Sequence, residues 1–133
     1  TKSVSSEGDG TKRGSDTMGM KHRVDHGVYV FFGSINPQLA QKTGFSDADA
    51  EILKVSLKNL FENDASSARP EGSMEVHKVY WWKHNCPNGQ YSSAKVHRTL
   101  SVSANVEEPT SINDYTITLD KLGGLEPEVL NGF

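Results

Sequence analysis

The first dense group of apolar residues in this 133-residue chain lies at 24–35. It reads VDHGVYVFFGSI and is nearly continuous in β-branched and aromatic side chains. A run of this kind, bounded by turn-forming residues, is typical of a strand that is covered on both faces. We therefore predict a buried strand here. Residues 1–16 are instead mostly serine, glycine and charged residues, which predicts a loop or a flexible arm.

Two helices are predicted after this strand. Asn-Pro at 36–37 forms an N-cap with proline at the first helical position, and Gly44 ends this short helix. Ser46 and Asp49 form a capping box that opens a longer helix. Apolar residues at helical spacing define the face expected to pack on a sheet: Ala50, Leu53, Leu57, Leu60 and Phe61. The opposite face carries Lys54, Lys58 and Glu62.

The second half of the chain is predicted to be rich in strands. Residues 74–83 alternate between apolar and polar positions, and 96–103 and 115–119 are two further strand candidates. The tail after the Gly-Gly pair at 123–124 is short, and we expect it to be peripheral. One long helix packed on an antiparallel sheet indicates the α+β class, and the element order resembles half of a ferredoxin-like βαββαβ unit.

The distribution of charge is more informative than its total. The formal net charge is −3, which argues mildly against nucleic acid, yet the charged residues at 17–23 are all basic. The acidic residues concentrate at 47–64 and 107–128. A single cysteine favours a reducing compartment, no secretory signal is visible, and no apolar run approaches the roughly 20 residues that span a membrane. We expect a cytoplasmic protein without membrane contact.

A candidate phosphate-binding set lies in and near this basic segment. It comprises Lys12, Arg13, Lys21, His22 and Arg23. Met18 and Met20 lie in the same polar segment, and apolar side chains insert between stacked bases in some nucleic-acid complexes. Arg69 follows small residues at 66–68 that leave room for a phosphate. The alternatives are a solvated charge run, methionines that anchor the loop to its own domain, and an arginine that fixes loop geometry.

No motif indicates catalysis, a metal or another cofactor. His84, Cys86 and His97 are metal-binding residue types, but they lack the paired spacing of structural zinc, so we interpret them as strand and turn residues. Glycine-rich phosphate loops and nucleophile motifs are absent from the sequence. The adjacent tryptophans at 81–82 are expected on opposite faces of a strand, where the outer one either stacks on a base or packs under a loop.

Four short motifs occur in order within residues 17–84: Thr17-Met18-Gly19 with Lys21-His22, the run Leu39–Phe45, Asn59-Leu60-Phe61-Glu62, and Ser67-Ala68-Arg69. In order and spacing these motifs resemble the C-terminal half of the Cas seven-type backbone subunit of type I CRISPR Cascade complexes. The resemblance is in particular to the type I-C and type I-B members, Csd-two and Csh-two.

The resemblance implies an RRM-like, ferredoxin-like subunit of which this chain holds the second half. It implies a flexible basic arm at 1–23 as part of a thumb, the C-terminal half of the palm at 24–104, and a β-rich extension at 105–133. The first βαβ unit would then be missing, and strand edges would be exposed. We expect another copy of the chain or an altered sheet to cover them.

The function implied by the resemblance is RNA binding in CRISPR antiviral defence. Copies would polymerise along CRISPR RNA as the backbone of Cascade, with other Cascade subunits as further partners and without nuclease activity. Phosphates would meet the basic residues of the arm and Arg69, and Met18 or Met20 would lie beside a displaced base. Two alternatives stay open: an RNA-cleaving relative of the type III backbone subunits, and a protein-interaction module without RNA contact.

Overall fold

The computed structural model describes residues 24–63, 69–70 and 72–133, and the chain is α+β, as predicted. The helices are α1 (Pro37–Thr43), α2 (Asp47–Lys58) and α3 (Ser93–His97), with a 3-10 helix at Ile112–Asp114. The strands are β1 (Lys78–Trp81), β2 (Leu100–Ala104), β3 (Tyr115–Leu119) and β4 (Glu128–Asn131).

The chain divides into two compact units. The smaller comprises Thr1–Tyr29 and Ala104–Tyr115, and the larger comprises Val30–Ser103 and Thr116–Phe133. The domain boundaries that the resemblance implies stay predictions, and the arm at 1–23 lies outside the described residues.

Both predicted helix starts are confirmed, because capping residues act locally. The Asn36 side chain accepts hydrogen bonds from the backbone N–H groups two and three residues later, at 2.8 and 3.3 Å. α1 ends at Gly44, whose φ of 79° is a left-handed conformation that glycine adopts without steric cost. Ser46 and Asp49 form the predicted reciprocal capping box at the start of α2.

In the larger unit, α2 packs on a two-stranded antiparallel sheet that pairs β1 with β4. Trp81 lies opposite Glu128 at one end of this pairing. Just after β4, a Cβ atom at Gly132 would overlap the carbonyl oxygen of Val76, so only glycine fits there. The prediction of a peripheral tail was wrong, because the tail supplies the strand that completes this sheet.

The predicted buried strand at 24–35 is not a strand. The backbone has no turn or bend from residue 27 to residue 36, and no backbone hydrogen bond links 27–35 to another described residue. Tyr29 and Phe31 are 69% and 70% exposed. A strand requires a partner, and both sheets of the described part are two-stranded and exclude this run. We call Val30–Ile35, in the larger unit, the apolar segment.

The buried face of α2 agrees only in part with the predicted one, of which Ala50 and Leu57 are half-buried as expected. Lys54, expected on the solvent face, is buried, whereas Leu53 of the predicted inner face is exposed. The Lys54 ammonium group binds carboxylate oxygens of Glu128 at 2.7 Å and of Glu51 at 3.0 Å. It also lies 5.8 Å from the centroid of the Trp81 ring. Apolar spacing did not predict the burial of Lys54, because its main partner is on a strand 74 positions away.

The predicted strand at 96–103 begins as a helix. Ser92 caps α3 by accepting a hydrogen bond from the backbone N–H of Lys95, and β2 starts only at Leu100. β2 pairs with β3, whose predicted bounds of 115–119 are confirmed. Serine and threonine compete for helix caps and turns as readily as they enter strands, which explains the error at the start of this stretch.

The part of the chain that the structure describes buries few hydrophobic side chains. Val96 of α3 and Leu125 form its buried hydrophobic core, whereas many large hydrophobic residues are exposed, among them Phe31, Ile52 and Val55. Soluble domains rarely leave this much apolar surface in contact with water unless another surface covers it.

In the smaller unit, the described residues centre on Asp114. Its carboxylate accepts hydrogen bonds from the backbone N–H groups of Thr110 and Ser111, at 2.9 and 3.2 Å. This arrangement caps the 3-10 helix. The His26 and Tyr115 rings lie 5.9 Å apart, centroid to centroid.

Candidate nucleic-acid interface

Most of the predicted RNA-binding residues lie outside the described residues. This applies to Lys12, Arg13, Met18, Met20, Lys21, His22 and Arg23, all within residues 1–23. Arg69 is described, is half-buried, and takes part in an interaction. The predicted approach of Arg69 to the arm therefore stays a prediction.

One charge pattern that our sequence reading missed lies mainly in the larger unit. From residue 76 to residue 106 the chain contains no aspartate and no glutamate, although the whole chain carries a net charge of −3. The cations of this stretch are Lys78, Lys83, Lys95 and Arg98, with three histidines at 77, 84 and 97. Counting charge element by element, instead of searching for basic runs, would have revealed this stretch.

Aromatic side chains occupy both faces of β1 within this stretch. Trp81 points to α2, where Lys54 lies over its ring. Tyr80 and Trp82 stack on each other, with ring centroids 6.2 Å apart and planes inclined by 24°. The prediction that the adjacent tryptophans lie on opposite faces is confirmed. Partial burial raises the pKa of the Tyr80 hydroxyl, so this group stays protonated and neutral at physiological pH.

The loop between β1 and α3 is held by its own side chains. His84 Nδ1 accepts a hydrogen bond from the backbone N–H of Gln90 at 2.8 Å. The Gln90 side chain in turn donates to the carbonyl oxygen of Gly124 at 2.7 Å, and the Tyr91 hydroxyl donates to that of Gly123 at 2.5 Å. These bonds attach the loop and the start of α3 to the turn that follows β3.

Three exposed cations lie on these attached elements. The Lys95 ammonium group lies 5.4 Å from the centroid of the Tyr91 ring, and Arg98 follows three residues later as the C-cap of α3. Lys121 lies in the attached turn after β3, next to Asp120, whose backbone N–H donates to the carbonyl oxygen of Thr99 at 2.8 Å. We call Lys95, Arg98 and Lys121 the C-terminal basic cluster.

The residue types that resembled a metal site have other roles. His84 accepts the Gln90 hydrogen bond, and His97 stacks on Phe32 with ring centroids 4.6 Å apart. Cys86 is exposed. Within the described ranges, no group of three or more histidine, cysteine or carboxylate side chains is arranged to hold a metal ion.

The structure is that of an α+β chain in which 76–106 carries aromatic side chains, and the lysines and the arginine of this stretch form no ion pair with a carboxylate of the described residues. Over residues 1–120 the chain matches the family model described as CRISPR-associated protein Cas7, and it belongs to that family. The family prediction made from the sequence is thereby confirmed, while the subtype stays a prediction. No match to a curated protein was found. None of the helices in 24–63 or 72–133 is long and apolar enough to cross a membrane.

Proposed function

We propose that the chain is an RNA-binding backbone subunit that polymerises along CRISPR RNA in a type I Cascade surveillance complex. The observation that carries this proposal is the Cas7 family match over residues 1–120. The stretch without carboxylates at 76–106 supports it, because positive charge that is not neutralised attracts a polyanion. Within the family we assign the chain to the type I-C Csd-two and type I-B Csh-two members, as their C-terminal half.

In this proposal the arm at 1–23 supplies most phosphate contacts, through its basic residues, and Arg69 adds another. Met18 or Met20 lies beside a displaced base. The subunit positions RNA without cleaving it, requires no cofactor and acts in the cytoplasm. Its partners are neighbouring copies of itself and the other Cascade subunits.

The first prediction is a steep dependence of RNA binding on salt. For the full chain and two labelled RNAs of unrelated sequence, the logarithm of affinity should fall linearly with the logarithm of salt between about 50 and about 200 mM. Changing Lys21 and Arg23 together to alanine should weaken both RNAs equally, because phosphate contacts carry no sequence information. The salt slope should become shallower by about 1.4, at about 0.7 per contact with a single strand.

A matched control is the pair Lys42→Ala and Lys58→Ala, which removes the same charge from α1 and α2. Its affinity and slope should equal those of the unmodified chain. A slope near zero for the unmodified chain would overturn the proposal. RNA fragments formed with a divalent metal would favour a nuclease instead, and no binding even at low salt would favour a protein-interaction module.

A further inference from the structure

We propose that the C-terminal basic cluster is a second contact for the RNA backbone, separate in sequence from the arm at 1–23. The proposal rests on the proposed function, since it takes single-stranded RNA as the ligand. It assigns a ligand to a part of the chain for which the sequence predicted none.

The cations of the cluster are available to a ligand. Lys95, Arg98 and Lys121 are all exposed, and none of them forms an ion pair with a carboxylate of the described residues. Lys54 provides the contrast within the same unit, because two glutamates neutralise it. A cation that is not paired with a carboxylate remains able to attract a phosphate.

The elements that carry the cluster are held together. Lys95 and Arg98 are three positions apart at a helical turn, so their side chains are neighbours. The Tyr91 ring orients the Lys95 ammonium group, and the Tyr91 hydroxyl bonds to the turn that carries Lys121. Because hydrogen bonds hold both α3 and this turn, the cations that they carry require less ordering on binding than the same charges on a free loop.

The surroundings of the cluster favour a phosphate as its ligand. Beside the cations, α3 presents Ser93 and Ala94, which are small and exposed and leave room for a phosphate. Ammonium and guanidinium groups are common partners of phosphate oxygens, and contacts to phosphates carry no sequence information. One carboxylate, that of exposed Asp120, is adjacent to Lys121 and opposes an anion there.

The test uses the full chain with the variant Arg98→Gln and Lys121→Gln, which leaves the contact between Lys95 and Tyr91 intact. We expect about tenfold weaker binding of any single-stranded RNA at low salt and a slope shallower by about 1.4. The matched control, Lys42→Gln with Lys58→Gln, should change neither quantity. Asp120→Asn should instead tighten binding, an effect that loss of structure would not produce.

Failure of the cluster proposal can be distinguished from failure of the proposed function. If the unmodified chain does not bind RNA, the proposed function fails and this inference fails with it. If the unmodified chain binds but the cluster variant and the control variant bind equally well, only the cluster proposal is overturned. Circular dichroism and a thermal melt establish that the variant is folded. Loss of binding to another Cascade subunit with unchanged RNA affinity would identify the cluster as a protein contact and overturn the proposal.

Discussion

Lys54 is a charged side chain that serves as a packing residue between α2 and the β1–β4 sheet. Its hydrogen bonds to Glu128 and Glu51 raise its pKa above the usual 10.5, because they stabilise the ammonium form. Its aliphatic stem is buried while its charge is held by two exposed carboxylates and an aromatic ring. One side chain therefore links α2, β1 and β4.

This arrangement predicts a particular dependence of stability on pH. Folding raises the pKa of Lys54 above its value of 10.5 in the unfolded chain. The ion pairs of Lys54 therefore contribute fully to the free energy of unfolding below pH 10.5, and this contribution is lost as the pH rises through the pKa of the folded state. The variant Lys54→Met should be less stable than the unmodified chain at neutral pH. The difference in their free energies of unfolding should stay constant up to about pH 10 and shrink above it.

Urea denaturation at a series of pH values from about 7 to about 11.5 measures this difference. Glu128→Gln serves as a second variant, because it removes the carboxylate closer to the Lys54 ammonium group and retains the lysine. Glu128→Gln should hardly change the free energy of unfolding when it is combined with Lys54→Met. A stability difference that is independent of pH over the whole range would contradict the assigned role of the ion pair.

Among the helices and strands, features that depend on neighbouring residues were predicted correctly, whereas features that depend on a distant partner were not. The caps at Asn36, Ser46 and Gly44 follow from a few neighbouring residues, and the structure confirms all three. The run at 24–35 has the composition of a buried strand, but composition cannot supply the second strand. The four residues of β4 follow a proline and lack a distinctive pattern, so their pairing with β1 becomes visible only in the structure.

In the candidate interface, too, the sequence indicated only residues that lie close together along the chain. The basic residues at 12–23 attract attention because they are consecutive or nearly so. The C-terminal basic cluster joins α3 to a turn more than twenty positions later, through hydrogen bonds made by Gln90 and Tyr91. No spacing rule relates these positions, so only the folded chain brings them together.

The capping box of α2 is expected to contribute to the stability of the chain, and substituting its serine tests this. Ser46→Ala removes the acceptor for the backbone N–H of Asp49, which should lower the free energy of unfolding by about 1 kcal/mol. Ser56→Ala is the matched control, since it makes the same chemical change at an exposed position inside the same helix. Alanine there should be neutral or slightly stabilising. Equal losses for the two variants in a urea titration would show that the cap is not decisive.

For the whole molecule, the central feature is the amount of exposed apolar surface. The apolar segment contains no charged residue and presents Phe31 to solvent, and α2 exposes Ile52 and Val55. Edge strands in soluble proteins usually carry charges or prolines that discourage pairing with other chains. The apolar segment lacks these features, so we expect the chain to associate or to bind hydrophobic probes.

Phe31 and Phe32 are neighbours in sequence but differ in exposure and in packing, so substituting each in turn distinguishes the two effects. Phe31 is 70% exposed, whereas Phe32 is 48% exposed and stacks on His97. Phe31→Ser should reduce binding of a hydrophobic dye and change the free energy of unfolding by less than about 0.5 kcal/mol. Phe32→Ser should lower the free energy of unfolding by about 1 kcal/mol more than Phe31→Ser, because it also removes the stacking on His97. Dye fluorescence and urea titration, made on the same samples, measure both effects.

If both serine variants destabilise the chain equally, Phe31 must be packed in solution. If neither reduces dye binding, the exposed surface lies elsewhere, and α2 is the next region to test. Light scattering at several protein concentrations then shows whether the apolar segment also governs association.

Gly132 has a further consequence for how β4 aligns with β1. Any side chain at this position would overlap the Val76 carbonyl oxygen, and the Gly132 N–H donates to the carbonyl oxygen of His77. A shift of one residue would place Asn131 or Phe133 in a space that admits only a hydrogen atom, and it would also turn every β4 side chain to the other face. Glycine thus acts as a stop that fixes the alignment, and this alignment brings Glu128 to Lys54.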